Sequence, residues 1–310
     1  MDKPDISVVI PTHERLAALE GCIAALVAQD FDAMRFEIVV ADAASESAVR
    51  RSIGRWAMLT HGAPLIRYVH AAPARGPAAA RNLGWRAAQG DVIAFTNDLS
   101  VPRRDWLTEG WKAMATGATA AAGVVELDPR RTGGLDAANC FVQRQALRAV
   151  GGFDERFTSA WDDARDLQFT LAEVSGNVVA APNAIVRRTP RRVGWDATLL
   201  QYRRMLFDAL LFKKHPHLYR EQVHDLAPWS YYGIVAALLV IAAGASLRDP
   251  TLAWAGLVTW TVLTIALVAR RLQGEMRTSF IEVLATSIAI PPVAVFWRLA
   301  GALRFRVFFL

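Results

Sequence analysis

Cysteine is scarce in this 310-residue chain: only Cys22 and Cys140 occur. Two isolated thiols form neither a disulfide framework nor a zinc-binding spacing. They read as reduced side chains of a domain facing the cytosol. A signal-peptide core is also missing, because the opening MDKPDISVV passes straight into a β-branched strand. The net charge is +6, yet no nucleic-acid motif accompanies it, so nucleic acid is not an expected partner. Uniform composition is absent as well. Apolar residues make up 53% and charged residues 21%, with a mean hydropathy of +0.22. That average combines a charged, mixed region up to about Asp225 with a strongly apolar region from Trp229 on. Basic residues crowd Arg187 to Arg220 and recur at Arg270-Arg271, Arg298, Arg304 and Arg306, flanking the apolar segments. Anionic lipid or a phosphate-bearing substrate suits that placement.

The N-terminal region alternates strand and helix patterns. Ile6 to Ile10, Phe36 to Ala41, Leu65 to Val69 and Val92 to Thr96 are short apolar runs of the buried-strand kind. Leu16 to Gln29 repeats Leu19, Ile23, Leu26 and Val27 at helical spacing, Ser45 to Trp56 reads as helix, and Ala78 to Gln89 is an Ala-rich helix closed by Gly90-Asp91. This order implies a parallel, doubly wound α/β sheet. Asp42 and Asn97-Asp98 then stand at the carboxyl ends of strands, the rim where open α/β sheets hold ligands. Further on, Trp106 to Thr116 reads as helix, Ala118 to Leu127 and Ala138 to Gln143 as strands, and Gln145 to Val150 as a short helix ending at Gly151-Gly152. A helix then starts near Trp161-Asp162-Asp163, where acids complement the helix dipole whatever else they do. Asn177 to Ala181 and Ala184 to Val186 read as two short extended pieces.

Thr198 to Lys214 is a basic amphipathic helix with Leu199, Tyr202, Leu206, Leu210 and Leu211 on one face, suited either to a membrane surface or to packing on a domain. Trp229 to Leu247 and Leu252 to Ala269 are uncharged and roughly long enough to cross a bilayer core. With the break at Arg248-Asp249-Pro250 they read as a spanning hairpin. Phe280 to Trp297 carries Glu282 and Pro291-Pro292, so it reads as a re-entrant or interfacial pair bent at the prolines, with a third span as the alternative. The basic flanks put the N-terminal region in the cytoplasm, on a multi-pass inner-membrane protein. The domain expectation is 1–195 for the α/β domain, 196–228 for the interfacial helix and linker, and 229–310 for the membrane region.

Four motifs in order resemble family 2 glycosyltransferases of the GT-A fold: SVVIPTHER at 7–15, VVADAAS at 39–45, GPAAARNLGWRAAQGDVIAFTND at 76–98 with VP at 101–102, and GGFDERF at 151–157. The resemblance covers roughly Ile6 to Arg192, and the tail LLFKKHPHLYR before apolar helices is similar to a membrane-anchored bacterial branch. It implies a GT-A catalytic domain, Rossmann-like with a mostly parallel sheet, that transfers a sugar with inversion. The donor would be a nucleotide sugar, UDP- or dTDP-linked, and the acceptor a lipid-linked or membrane-proximal glycan. Pro11, Thr12 and Glu14 would line the base and ribose, and Asp42 would accept a hydrogen bond from the base. Arg81 and Asn82 would lie near the nucleotide and diphosphate. Asn97-Asp98 would occupy the acidic position that holds ribose and a divalent cation, Mg2+ or Mn2+. Asp163, or Asp162 in a shifted alignment, would be the general base.

The chain departs from the family pattern where acids are expected. Leu99 replaces the usual metal-binding acid after Asn97-Asp98, so Asp98 alone is left as a metal ligand. Alignment through Asp166-Leu167 puts Ala164 at the base position, and Arg187-Arg188 stands where a histidine often follows the last strand. These changes motivate two readings of the arginine pair, as diphosphate ligands in place of the metal or as a membrane-facing basic turn. They also define an alternative function, a catalytically vestigial nucleotide-sugar-binding or scaffold subunit of a polysaccharide assembly system.

Overall fold

In the computed structural model the described residues are 3–13, 15–43, 47–70, 76–126, 135–158, 162–174, 176–188, 202–223, 229–274 and 280–308. They form two compact units, Met1–Pro190 and Arg191–Leu310. In the first unit the strands are β1 (Ile6–Thr12), β2 (Phe36–Asp42), β3 (Leu65–His70), β4 (Val92–Phe95), β5 (Ser100–Pro102), β6 (Ala120–Glu126), β7 (Cys140–Gln143) and β8 (Val178–Arg188). The helices are α1 (Leu16–Val27), α2 (Ser47–Leu59), α3 (Pro77–Ala87), α4 (Trp106–Met114), α5 (Arg144–Val150) and α6 (Asp162–Val174).

All eight strands join one sheet in the order β3-β2-β1-β4-β7-β6-β8-β5. Its first half is the parallel, doubly wound part: β1 lies between β2 and β4, and β3 lies outside β2. The strands β1, β2 and β4 are buried along their whole length, because α1 and α2 cover one face and α3 the other. The second half is mixed. β7 runs antiparallel to β4 and β6, β6 and β8 are parallel, and β5 closes the edge antiparallel to β8. The sheet is thus mostly parallel, as expected, with antiparallel pairs confined to its second half. The sequence shows four β-α repeats and then loses them, and among the described residues no crossover helix stands between β6 and β7.

β8 is one strand where the sequence suggests two pieces. The β6–β8 register slips between Gly123 and Val124, and Asn139 holds the irregularity. Its amide donates to the carbonyls of Val124 and Ala184, both at 2.8 Å, and its oxygen accepts from the Trp106 indole at 2.7 Å.

The second unit is helical. Met205–Lys214 and Pro216–Gln222 precede three long apolar helices, Trp229–Leu247, Pro250–Gly274 and Phe280–Phe305, each long and apolar enough to cross a membrane. The last continues through Pro291-Pro292 as one 26-residue helix rather than a bent pair, despite the two backbone donors that proline lacks. The apolar face of Met205–Lys214 packs on the carboxyl half of this helix. Gly301 lies against the Leu206 carbonyl, Arg298 pairs with Asp208 at 3.9 Å, and Lys213 donates to the Phe305 carbonyl at 2.7 Å. Residues 198–201 of the expected amphipathic helix lie outside the described residues.

Candidate active site

β1, β2 and β4 end side by side, and their carboxyl ends form one rim. There, the ends of β1 and β4 and the start of α3 enclose a cavity of about 390 Å³. Pro11, Thr12, His13 and Arg15 line it from β1 and the start of α1, Gly76, Pro77, Ala80 and Arg81 from α3, Asn97 and Asp98 from the turn after β4, and Ala43 from the end of β2.

Among the described residues, Asp98 is the only carboxylate on those walls. Its two oxygens accept from the Thr12 hydroxyl at 2.9 Å and from Arg15 Nη1 at 3.4 Å. Burial pushes its carboxyl above the ordinary range, outweighing Arg15, the Thr12 hydroxyl and a His13 backbone N–H, which pull it down. Asn97 turns its oxygen inward, accepting from the Leu99 N–H at 3.1 Å and the Ser100 hydroxyl at 2.8 Å, so it shapes the turn.

α3 supplies the other half of the site. It starts at Gly76, whose φ is +98° and where an added Cβ would lie 2.8 Å from the Thr158 carbonyl oxygen. Only glycine fits a left-handed cap so close to another backbone. Arg81 is 3% exposed. Its Nη1 donates to Asp163 Oδ2, its Cζ lies 5.4 Å from the Phe153 ring centre, and its Nε has no hydrogen-bond partner among the described residues. Asn82 is committed elsewhere. Its amide donates to the Phe153 carbonyl and Glu155 Oε1, both at 2.8 Å, and its oxygen accepts from the Trp85 indole and the Phe153 N–H, both at 2.9 Å. It fastens the GGFDERF loop to α3. Gly152, at φ +86°, is needed because an added Cβ would lie 2.5 Å from the Asn82 oxygen.

The acids opening α6 are both buried. Asp163 has no exposed surface, whereas Asp162 keeps 7%. The second oxygen of Asp163 accepts from the Ala164 N–H at 2.9 Å. Asp42 accepts from the Tyr68 hydroxyl at 3.3 Å, is 1% exposed, and stands in register with Thr12 without itself lining the cavity. Arg187 forms an exposed ion pair with Glu126 at 2.7 Å. Arg188 stands opposite Ser100, next to the Asn97-Asp98 turn. Glu14 lies outside the described residues.

The structure thus brings Pro11, Thr12, Arg81, Asn97 and Asp98 to one cavity, and sets Asn82, Asp42 and Arg187 apart from it. Sequence reasoning passed over His13 and Arg15, although both lie inside the motif PTHER. The two cysteines are buried, and burial pushes their thiols far up, which makes them inert.

A divalent cation fits this donor set poorly. Among the described residues no three His, Cys, Asp or Glu side chains converge. Leu99 offers no ligand atom, the Asn97 oxygen is taken up by its own turn, and Asp98 already faces a guanidinium.

A mixed sheet with a cavity at the ends of its parallel strands, followed by apolar helices long enough to cross a membrane, fits a glycosyltransferase of the GT-A fold. The chain belongs to glycosyl transferase family 2, whose model matches residues 7–163, and it is a glycosyltransferase using nucleotide-sugar donors. It is 22% identical over 282 residues to glycosyltransferase AglE of Haloferax volcanii, covering 77% of this chain and 91% of that protein. It is 25% identical to the pre-mycofactocin glycosyltransferase of Mycobacterium tuberculosis, covering 91% of this chain and 61% of that longer protein. Among solved structures, the Pyrobaculum calidifontis mannosyltransferase PcManGT, in complex with GDP-Man and Mn2+, superposes with a TM-score of 0.60 at 21% identity, covering 98% of this chain and 88% of that one. TarS 1-349 of S. aureus in complex with UDP-GlcNAc gives 0.53 at 13% identity, covering 99% and 93%. At such identities these structures establish the fold.

Proposed function

We propose that the chain transfers a sugar from a nucleotide-sugar donor, with inversion, to a lipid-linked or membrane-proximal glycan at the cytoplasmic face of the inner membrane. The observation that carries this reading is the cavity itself, a largely apolar pocket at the β1 and β4 ends with Arg15, Arg81 and Asp98 among its walls. Its cations suit a diphosphate, and Thr12 and Asp98 suit a ribose. In an inverting displacement the acceptor hydroxyl attacks the anomeric carbon, its proton passes to a carboxylate, and the nucleoside diphosphate departs. The acid pair opening α6, Asp162 and Asp163, supplies that carboxylate.

Among the described residues, Mg2+ or Mn2+ would have only Asp98 as a carboxylate on the cavity wall, and no step runs through a metal. Arg187 is engaged by Glu126, whereas Arg188 pairs with Ser100 beside the Asn97-Asp98 turn, which supports Arg188 as the diphosphate candidate of the two. The apolar helices favour an acceptor carried by lipid, and the basic flanks favour the cytoplasmic side.

The loss of acid at Leu99 favours one second reading, a nucleotide-sugar-binding subunit without transfer. A thermal-shift panel of nucleotide sugars on the detergent-solubilised chain, with and without Mn2+, tests the first part. Stabilisation by one nucleotide sugar, together with transfer to lipid-extract acceptors giving product of inverted anomeric configuration, supports the proposal. Binding without transfer across a broad acceptor panel supports the subunit reading, and retained configuration refutes inversion.

A further inference from the structure

Arg81 and Asp163 form a buried ion pair whose side chains are 4% and 0% exposed. It ties α3 to the start of α6, yet the arginine also lines the donor cavity. A general base must touch the acceptor hydroxyl. Asp163 has no surface, and its two oxygens are engaged by Arg81 and by the Ala164 N–H. Arg81 is placed differently. One edge of its guanidinium is held by Asp163, its face covers Phe153, and its Nε is a buried donor without a partner among the described residues. A buried N–H left unmatched costs free energy until a ligand satisfies it.

We propose that Asp163 is a positioning residue that locks Arg81 as a fixed cation for the donor diphosphate, in place of a protein-held metal, and that Asp162 is the general base. The inference rests on the nucleotide-sugar reading above. An arginine held at one edge by a carboxylate keeps its planar fork oriented, so little side-chain freedom is lost when phosphate oxygens bind the rest. Its charge is permanent and sits in a buried site, where it offsets the charge that builds on the leaving diphosphate. The poor metal donor set at Asn97-Asp98-Leu99 and the fixed cation across the cavity are then two parts of one arrangement. Asp162 adjoins Asp163 at the first turn of α6 and retains surface, so the proton-accepting role falls to it.

The test uses the full chain in detergent with EDTA present. UDP, dTDP and GDP, and the matching nucleosides uridine, thymidine and guanosine, are titrated into wild type and variants. The expected wild-type result is binding of one nucleoside diphosphate undiminished by EDTA. Asp163→Asn and Arg81→Lys should each weaken that diphosphate by about tenfold or more while leaving the nucleoside within about twofold. A merely structural role would weaken both ligands alike. Asp162→Asn should keep diphosphate affinity and lose turnover, a kcat effect rather than a KM effect. Should the single variants misfold, the double variant Arg81→Met/Asp163→Leu replaces the pair by apolar volume and should show the same selective loss. Unchanged diphosphate affinity in Asp163→Asn or in the double variant, or wild-type binding abolished by EDTA, overturns the proposal. If no nucleoside diphosphate binds wild type even with added Mn2+, the nucleotide-sugar reading fails, and this inference with it.

Discussion

A lone buried carboxylate, Asp98, and the buried Arg81–Asp163 pair set the residue-scale energetics in different ways. Asp98 is held above its ordinary carboxylate range by burial, so the native state binds its proton more tightly than the unfolded chain does. The sign follows: stability is fully present below the ordinary value of 3.8 and falls as pH rises through the raised one. Asp98→Asn, which cannot ionise, should therefore match wild type at low pH and melt higher than wild type at neutral pH without donor, while losing donor-induced stabilisation. Thermal unfolding at several pH values checks this. Arg81 and Asp163 behave otherwise, because each compensates the other. Removing one partner leaves a charge buried alone, which costs about 3–5 kcal/mol. Arg81→Met should lose roughly that much, and Arg81→Met/Asp163→Leu should recover most of it. Denaturant unfolding of the three proteins measures the difference.

At the scale of elements, the two halves of the sheet are held by different means. β1, β2 and β4 are continuous apolar runs fixed by burial on both faces, so their pattern is readable locally. The β6–β8 half depends on one side chain, Asn139, which bonds two carbonyls and an indole around the register slip. Asn139→Ala strands three buried polar groups and should cost about 2–4 kcal/mol, with hydrogen exchange rising first in β6 and β8. The sequence gives no local signal for this, since an asparagine in a loop–strand junction resembles any turn residue. The same limit explains why β8 reads as two pieces and why β5 goes unnoticed. A three-residue edge strand and a bulge are defined by their partners, not by periodicity.

For the whole molecule, the helical unit suggests a membrane arrangement that hydropathy leaves open. In the hairpin Trp229–Leu247 and Pro250–Gly274, Ile234, Thr264, Leu267 and Val268 are buried in the open-end half, while Gly244 packs against Ala253 near the turn. Near the turn, Leu247 and Trp254 are 73% and 65% exposed. The helix Phe280–Phe305 meets Arg271 through Thr286 and Ser287 and meets Met205–Lys214 through Arg298 and Phe305. Both its ends are tied to segments that adjoin the open end of the hairpin. We therefore expect it to lie along that face without crossing. Reporter fusions, or cysteines at the Arg248-Asp249-Pro250 turn and after Phe305, should label from opposite sides. Labelling from the same side would mean a third span.

The sequence by itself determined the family, the four parallel strands, the long apolar segments and most of the cavity wall, because those depend on local periodicity and on motifs within a few residues of one another. Tertiary structure decided the surroundings of each polar side chain. Asn82 and Arg81 are adjacent in sequence, yet one is bonded to the GGFDERF loop and Trp85 and the other lines the cavity. Asp162 and Asp163 differ in surface and in partners. Arg187 is taken by Glu126, whereas Arg188 stands beside the Asn97-Asp98 turn. Neighbouring residues on a helix or strand point in different directions. What each charged group does is then fixed by the counter-charge the fold brings to it from many residues away.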